Sequence, residues 1–390
     1  MIHENGITTG GSAKIAVQTA MGLARKGFKV TYFCATNPID EELRNVIDEI
    51  VCLNQLEIKD NSKFRGAIQG LWNKKAYYEL DKLLKMYGKH VIVHIHGWSH
   101  ALSASIFKAC LDNKIKPFVT LHDYFSVCPN GGFYNFKEQH ICDLKPMSCK
   151  CAGVNCDARN YFQKIYRFIR QCVQDVYVKN NENIKYIYIS DFSFSKVQNY
   201  LKSKTVFYLH NPIDAYPIDK VDAIKNDKYL YIGRLSPEKG VDIFCEAISQ
   251  LGINGVVIGD GLLKERLSKQ YPMIEFVGWK SKQDIISYIK QARCLIFPSK
   301  WYEGAPLTTE ECLSAGVPCI VSNVCAAIDQ IEDGVNGYIF KSEDIEDLKS
   351  KIIRVKESSQ VVNAENWSIK NYNLENYING LLDIYFGQSE

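Results

Sequence analysis

The chain contains no apolar run approaching the roughly 18 residues that a membrane-spanning helix needs, which excludes a helical membrane span. It has no short-period repeat and no long low-complexity stretch, so solenoid and extended disordered architectures are excluded too. Its first residues lack the basic region and apolar stretch of a secretory signal, and a cytoplasmic address is the expectation that follows. Net charge is scarce: at +3, the chain lacks the concentrated basic face that a nucleic-acid partner requires, and none is expected.

What is present points to a two-domain α/β protein. A chain of 390 residues with 46% hydrophobic content is too long for one ordinary core and suits two domains of moderate size. Short apolar, β-branched runs at 29–34, 91–96, 117–122, 186–190 and 206–209 alternate with helical spacing, the pattern of a parallel sheet covered on both faces. His210-Asn211-Pro212 breaks the pattern, which restarts with runs at 229–232, 255–258, 275–277, 294–297 and 319–322. The spacing therefore predicts domains over 1–211 and 212–365, with a closing helix in 366–390. The first domain ought to begin with a strand feeding a glycine turn; only residues 1–4 are available, so that strand looks short or missing.

The most informative stretch runs from Cys294 to Pro318. A buried strand ends at Pro298, a loop carries Glu303-Gly304-Ala305, and a helix is expected to start near Pro306, with Glu311 one to two turns in. In an open α/β sheet, ligands bind beyond the carboxyl ends of the strands, and the N-terminus of the next helix offers unpaired N–H groups to an anion. A carboxylate at Glu311 can accept two hydrogen bonds from a vicinal diol such as a ribose. Earlier, the run at 229–232 enters Gly233-Arg234, and Lys239-Gly240 follows; two cations five residues apart beside a helix start suit a diphosphate. Thr8-Thr9-Gly10-Gly11-Ser12 precedes a helix and can bring backbone close to phosphate. His122, with Asp123, ends the run at 117–122 on the cleft side, and His96 ends the neighbouring run.

Together these motifs resemble those of the retaining glycosyltransferases of family 4, which have the GT-B fold. The pattern Glu-Gly-x-Pro-Leu, a second Glu eight residues after the first, then Ala-x-Gly-x-Pro, is matched from Glu303 to Pro318, and Gly-Arg-x4-Lys-Gly is matched from Gly233 to Gly240. The resemblance implies two Rossmann-like domains with a cleft between them: 1–211 on the acceptor side, 212–365 binding a nucleotide sugar, and a last helix crossing back to the first domain. It implies a UDP- or GDP-sugar donor, retention of anomeric configuration, transfer of a hexose or related sugar to a glycan or lipid-linked acceptor in polysaccharide biosynthesis, and no catalytic metal. By the same resemblance Glu311 holds the ribose. Glu303 and His122 face the transferred sugar, and Arg234 and Lys239 stabilise the departing diphosphate. Gly10, Gly11, Gly233, Gly278, Gly304, Ala305, Pro306, Leu307 and Thr308 line the donor. Two rivals stay open: a nucleotide-sugar 2-epimerase of the same fold, and a non-catalytic nucleotide-sugar-binding module.

Two features lie outside this frame. Between residues 124 and 157 the regular alternation stops, and five of the fourteen cysteines gather there. A long insert without strand or helix pattern needs a staple; Cys128, Cys142, Cys151 and Cys156 could hold a structural zinc ion, with an iron–sulfur centre or plain reduced thiols as the alternatives. The stretches 63–89 and 159–170 mix Lys and Arg with aromatics, as helices lying on an anionic membrane surface do, although any surface helix packed on a sheet has one charged face. The inner face of the membrane is the corresponding address.

Overall fold

The computed structural model describes residues 1–8, 10–213, 219–357 and 372–387. Thr9 of the glycine loop and the expected start of the closing segment at 366–371 lie outside these.

The first domain is built on parallel strands in the order Val206–Tyr208, Lys185–Tyr188, Phe118–Leu121 and His94–Ile95. The short start of the chain extends it. Ile2 bridges both Ile95 and Phe33, with Ile2 N–H donating to His94 O at 2.8 Å and Phe33 N–H to Met1 O at 2.8 Å. Residues 1–4 thus stand as a first strand between His94–Ile95 and Thr31–Cys34, and Glu49–Cys52 pairs beyond. The strand is short but present, because backbone bonds on both sides hold it.

The second domain is a six-stranded parallel sheet in the order Glu275–Gly278, Gly255–Ile258, Lys228–Ile232, Ala292–Phe297, Cys319–Ser322 and Gly337–Phe340. Gly255–Ile258, Ala292–Phe297 and Cys319–Ser322 are buried along their whole length, and Lys228–Ile232 through its middle, as apolar runs packed on both faces must be. Glu49–Cys52 and Gly337–Phe340, not among the runs read in the sequence, pair on one side only and are buried only in part.

The closing helix Leu374–Phe386 packs on the first domain, against Gly11–Arg25. A Cβ on Gly22 would lie 2.7 Å from Ile378, so only glycine lets the two helices approach this closely. Ile378 is 1% exposed, which stabilises the crossing by roughly 1.5–3 kcal/mol.

The cysteine-rich insert is not devoid of regular structure. Tyr134–Asn135 pairs antiparallel with His140–Ile141, and a short helix covers Cys149–Gly153. Strands of two residues carry no readable alternation, which is why the sequence shows only a loop.

Candidate active site

The loops bearing the motifs leave the second sheet where its strand order reverses, between Lys228–Ile232 and Ala292–Phe297. Such a switch point opens a crevice at the carboxyl ends of the strands. Gly240 (φ +70°) presses the two loops together: a Cβ there would lie 1.9 Å from Pro298 O, so any side chain would force them apart. Lys300 N–H donates to Glu238 O at 2.9 Å and completes the seam.

This seam fixes Glu303. Glu303 Oε1 accepts from Lys239 Nζ at 2.5 Å, from Trp301 Nε1 at 2.6 Å and from Ser299 Oγ at 2.9 Å. Burial alone would raise the carboxyl's pKa, but the charge and hydrogen bond of Lys239, with the bonds from Trp301 and Ser299, outweigh it and hold it below the ordinary 4.5. Glu303 is therefore an ionised carboxylate with its donors converging on one oxygen.

From Glu303 the chain enters the helix Leu307–Ser314, capped by Pro306 with no side-chain hydrogen bond to its first N–H groups. The backbone N–H groups of Ala305, Leu307 and Thr308, at this helix start, can receive a phosphate. Glu311, in the second turn, meets Lys14 Nζ of the first domain at 3.5 Å. The two glutamates are thus placed differently, one inside the loop seam and the other facing across the cleft.

The domains meet closely at Gly304. Ser190 Oγ donates to Gly304 O at 2.7 Å, and a Cβ on Gly304 would lie 2.8 Å from His122 O. His122 Nε2 lies 2.9 Å from His96 Nδ1, and burial lowers its pKa to about 3, so its imidazole is neutral. Gly10 and Gly11 start the helix Gly11–Arg25 on the first domain's side, and a Cβ on either would meet no described atom within 4 Å. Gly233 and Gly278 bracket Gly259, whose Cβ would lie 1.9 Å from Gly233 O and whose N–H donates to Gly278 O at 2.9 Å.

The structure does not join Arg234 to this group. Its side chain is 67% exposed, with Nη2 3.4 Å from Glu238 Oε1, whereas Lys239 is paired with Glu303. Conversely, several residues were not singled out in the sequence. Trp301 and Ser299 sit in the same loop as Glu303, and that proximity was the only available signal. Lys14 and Ser190 act across the cleft. His210, in the segment linking the domains, lies 2.9 Å from the fully buried Glu310.

The insert reaches the same loop. Phe136 stands edge-on to Trp301 with ring centroids 6.0 Å apart, and Tyr124 and Phe133 pack against Tyr302. Behind it, Cys128, Cys151 and Cys156 are buried and Cys142 is partly so. Asn130 spans Cys128 Sγ (3.1 Å) and Cys156 Sγ (3.3 Å), and the buried Lys164 Nζ lies 3.4 Å from Cys151 Sγ. Among the described residues, no group of three or more His, Cys, Asp or Glu is arranged to hold a metal ion. The Asn130 amide, the Lys164 ammonium and nearby backbone groups hydrogen-bond the sulfurs.

Two Rossmann-like domains facing each other across a cleft, with an ionised glutamate and an open helix N-terminus in it, define a protein of the GT-B fold. Residues 218–373 match the family described as glycosyl transferases group 1. Over 96% of its length the chain is 25% identical to the UDP-Gal:alpha-D-GlcNAc-diphosphoundecaprenol alpha-1,3-galactosyltransferase of Escherichia coli, covering 93% of that protein. Among solved structures it superposes on the lipopolysaccharide outer core galactosyltransferase WaaB with a TM-score of 0.66 at 18% identity, covering 99% of this chain and 98% of that one. It superposes on Anabaena Alr3699/HepE in complex with UDP-glucose with a TM-score of 0.65 at 13% identity, covering 99% and 98%. The chain is a glycosyltransferase, and its second domain matches the group 1 model. Among the described residues no helix is long and apolar enough to cross a membrane.

Proposed function

We propose that the enzyme transfers a hexose or related sugar, with retention, from a UDP- or GDP-sugar to a glycan or lipid-linked acceptor in the assembly of a cell-surface polysaccharide. The observation that carries this reading is the Glu303 carboxylate, ionised within a buried seam by Lys239 and placed just before an open helix N-terminus. The Escherichia coli relative, named for a UDP-galactose donor and a diphosphoundecaprenol-linked acceptor, and the UDP-glucose complex of the Anabaena protein support it.

In this mechanism the diphosphate rests on the backbone N–H groups of Gly304, Ala305, Leu307 and Thr308, with Pro306 shaping the turn, and Glu311 accepts hydrogen bonds from the ribose hydroxyls. Gly10 and Gly11 approach the diphosphate from the first domain, while Gly233 and Gly278 line the nucleotide side. Lys239 and the helix N-terminus stabilise the charge that develops as the nucleoside diphosphate leaves, the kind of preorganised contact that acts most strongly in the transition state. Arg234, at the outer lip, adds positive field. The carboxylate of Glu303 faces the transferred sugar, with His122 on its other side. The acceptor hydroxyl attacks from the face the diphosphate leaves, and the departing phosphate takes its proton.

A membrane-borne acceptor would be presented beside the first domain. The helices Lys63–Leu71 and Tyr161–Tyr177 pack together, Tyr166 Oη donating to Ala67 O at 3.1 Å, and expose Phe64, Ile68, Phe162 and Ile169 near Arg65 and Arg159. Apolar side chains with basic neighbours suit an anionic interface. The test is incubation with a panel of UDP- and GDP-sugars and a lipid-diphosphate-linked sugar, followed by product analysis. An α-linked product from an α-linked donor supports the reading. An inverted linkage overturns retention, release of an epimerised free sugar favours an epimerase, and no turnover with any donor overturns transfer.

A further inference from the structure

Behind His122 stands a column of histidines. His94 and His96 have ring centroids 4.1 Å apart, and the rings of His96 and His122 stack at 5.2 Å. His94 is bonded at both nitrogens, Nδ1 to Tyr385 Oη at 2.6 Å and Nε2 to Thr120 Oγ1 at 2.7 Å. His96 uses Nδ1 on His122 Nε2 at 2.9 Å, while its Nε2 is buried and meets no hydrogen-bond partner among the described residues. Burial holds His94, His96 and His122 below the ordinary imidazole range, so each carries one ring proton.

Only two arrangements of these protons let His96 and His122 share their bond. In one, His96 keeps its proton on Nε2, where a buried N–H has no acceptor, and receives from His122. In the other, His96 carries the proton on Nδ1 and donates it to His122 Nε2, leaving a bare lone pair on its own Nε2. A buried N–H without an acceptor is the rarer and costlier defect. The second arrangement wins, and it places the proton of His122 on Nδ1, for which the described residues show no hydrogen-bond partner.

We propose that His96 is a positioning residue that locks His122 in its Nδ1–H tautomer, so that His122 offers the cleft a hydrogen-bond donor for a hydroxyl of the transferred sugar. The tautomer follows from the column itself; its use on the sugar rests on the reading of His122 given under the proposed function. The Nδ1–H form is the less favoured tautomer of a free histidine side chain, so a protein that holds it must impose it.

The test combines spectroscopy and kinetics. In protein labelled at histidine with 15N and 13C, with the His122 signals assigned by their loss in His122→Asn, the wild type should show His122 protonated on Nδ1. His96→Leu removes the donor: His122 should revert to Nε2–H, and kcat should fall about tenfold, the effect of one lost hydrogen bond, with the donor KM changed little. His96→Asn, whose amide can donate from nearly the same place, should keep the Nδ1–H form and restore most of the activity. An Nε2–H signal for His122 in the wild type, or an unchanged tautomer in His96→Leu, overturns the proposal. If His96→Leu does not fold, the wild-type and His96→Asn spectra still decide it. If His122→Ala turns over as fast as the wild type, the role of His122 on the sugar fails while the tautomer assignment stands, so the two failures are distinguishable.

Discussion

Lys239 Nζ and Glu303 Oε1 lie 2.5 Å apart, joining the loop that follows Lys228–Ile232 to the loop that follows Ala292–Phe297. The pair is buried, and burial alone would favour a protonated Glu303; the ammonium reverses this.

Lys239→Met should therefore undo the depression of the Glu303 pKa. A depressed carboxyl contributes stability above its ordinary value of 4.5 and loses it as pH falls through the lower native value. In the variant the acid limb of the kcat profile should move to higher pH, and kcat on its plateau should fall by about 10²–10³, as when a transition-state donor is removed. Profiles of kcat against pH for both proteins check this; an unmoved acid limb would show that Lys239 does not set the ionisation.

The insert should act on catalysis through Trp301. Phe136→Ala removes the ring that stands edge-on to Trp301, whose indole donates to Glu303 at 2.6 Å. An aromatic pair contributes about 0.5–1.5 kcal/mol, so kcat should fall roughly 2- to 10-fold with a shift in tryptophan emission. Unchanged kcat alongside a shifted emission would mean that the indole position does not matter to the chemistry.

The link between the domains should be sensitive to pH. Burial would lower the pKa of His210, but its hydrogen bond with Glu310 and that group's charge raise it above 6.5. The stability this contributes is complete below 6.5 and is lost as pH rises through the raised value. Thermal melts from pH 6.5 upward should show the wild type losing stability and His210→Gln losing far less. Parallel curves for the two proteins would contradict it.

Much of this architecture could be read from the chain. Buried parallel strands are apolar along their length, so the two runs of alternation were visible, and the spacing of Glu303 and Glu311 located the crevice. Residues 1–4 looked inadequate because their support comes from His94 and Phe33, distant in sequence. Spacing also could not foresee that Lys164, on a later helix, enters among the cysteines. Nor could it show that Arg234 turns outward to Glu238 while Lys239 turns inward, since both sit in one loop whose path is set by Gly240. Contacts across the cleft, such as Lys14 with Glu311, depend on how the domains close.

The exposed aromatics of the first domain should matter for the surface, not for the chemistry. Phe162→Glu combined with Phe64→Glu should reduce binding to anionic phospholipid vesicles at least about tenfold, since burying one such ring is worth roughly 1.5–3 kcal/mol. Turnover with a water-soluble acceptor should be unchanged. Equal vesicle binding by the wild type and the double variant would remove these helices from the membrane account.

The measurement that bears most directly on the site is the separation of Glu303 from Glu311 in steady-state kinetics with the best nucleotide sugar. Glu311→Ala, which loses the contact assigned to the ribose, should mainly raise the donor KM. Glu303→Ala, which empties the seam between Lys239 and Trp301, should mainly lower kcat. Equal effects of the two substitutions on both constants would contradict the division of roles. Wild-type kinetics in both variants would contradict the site itself.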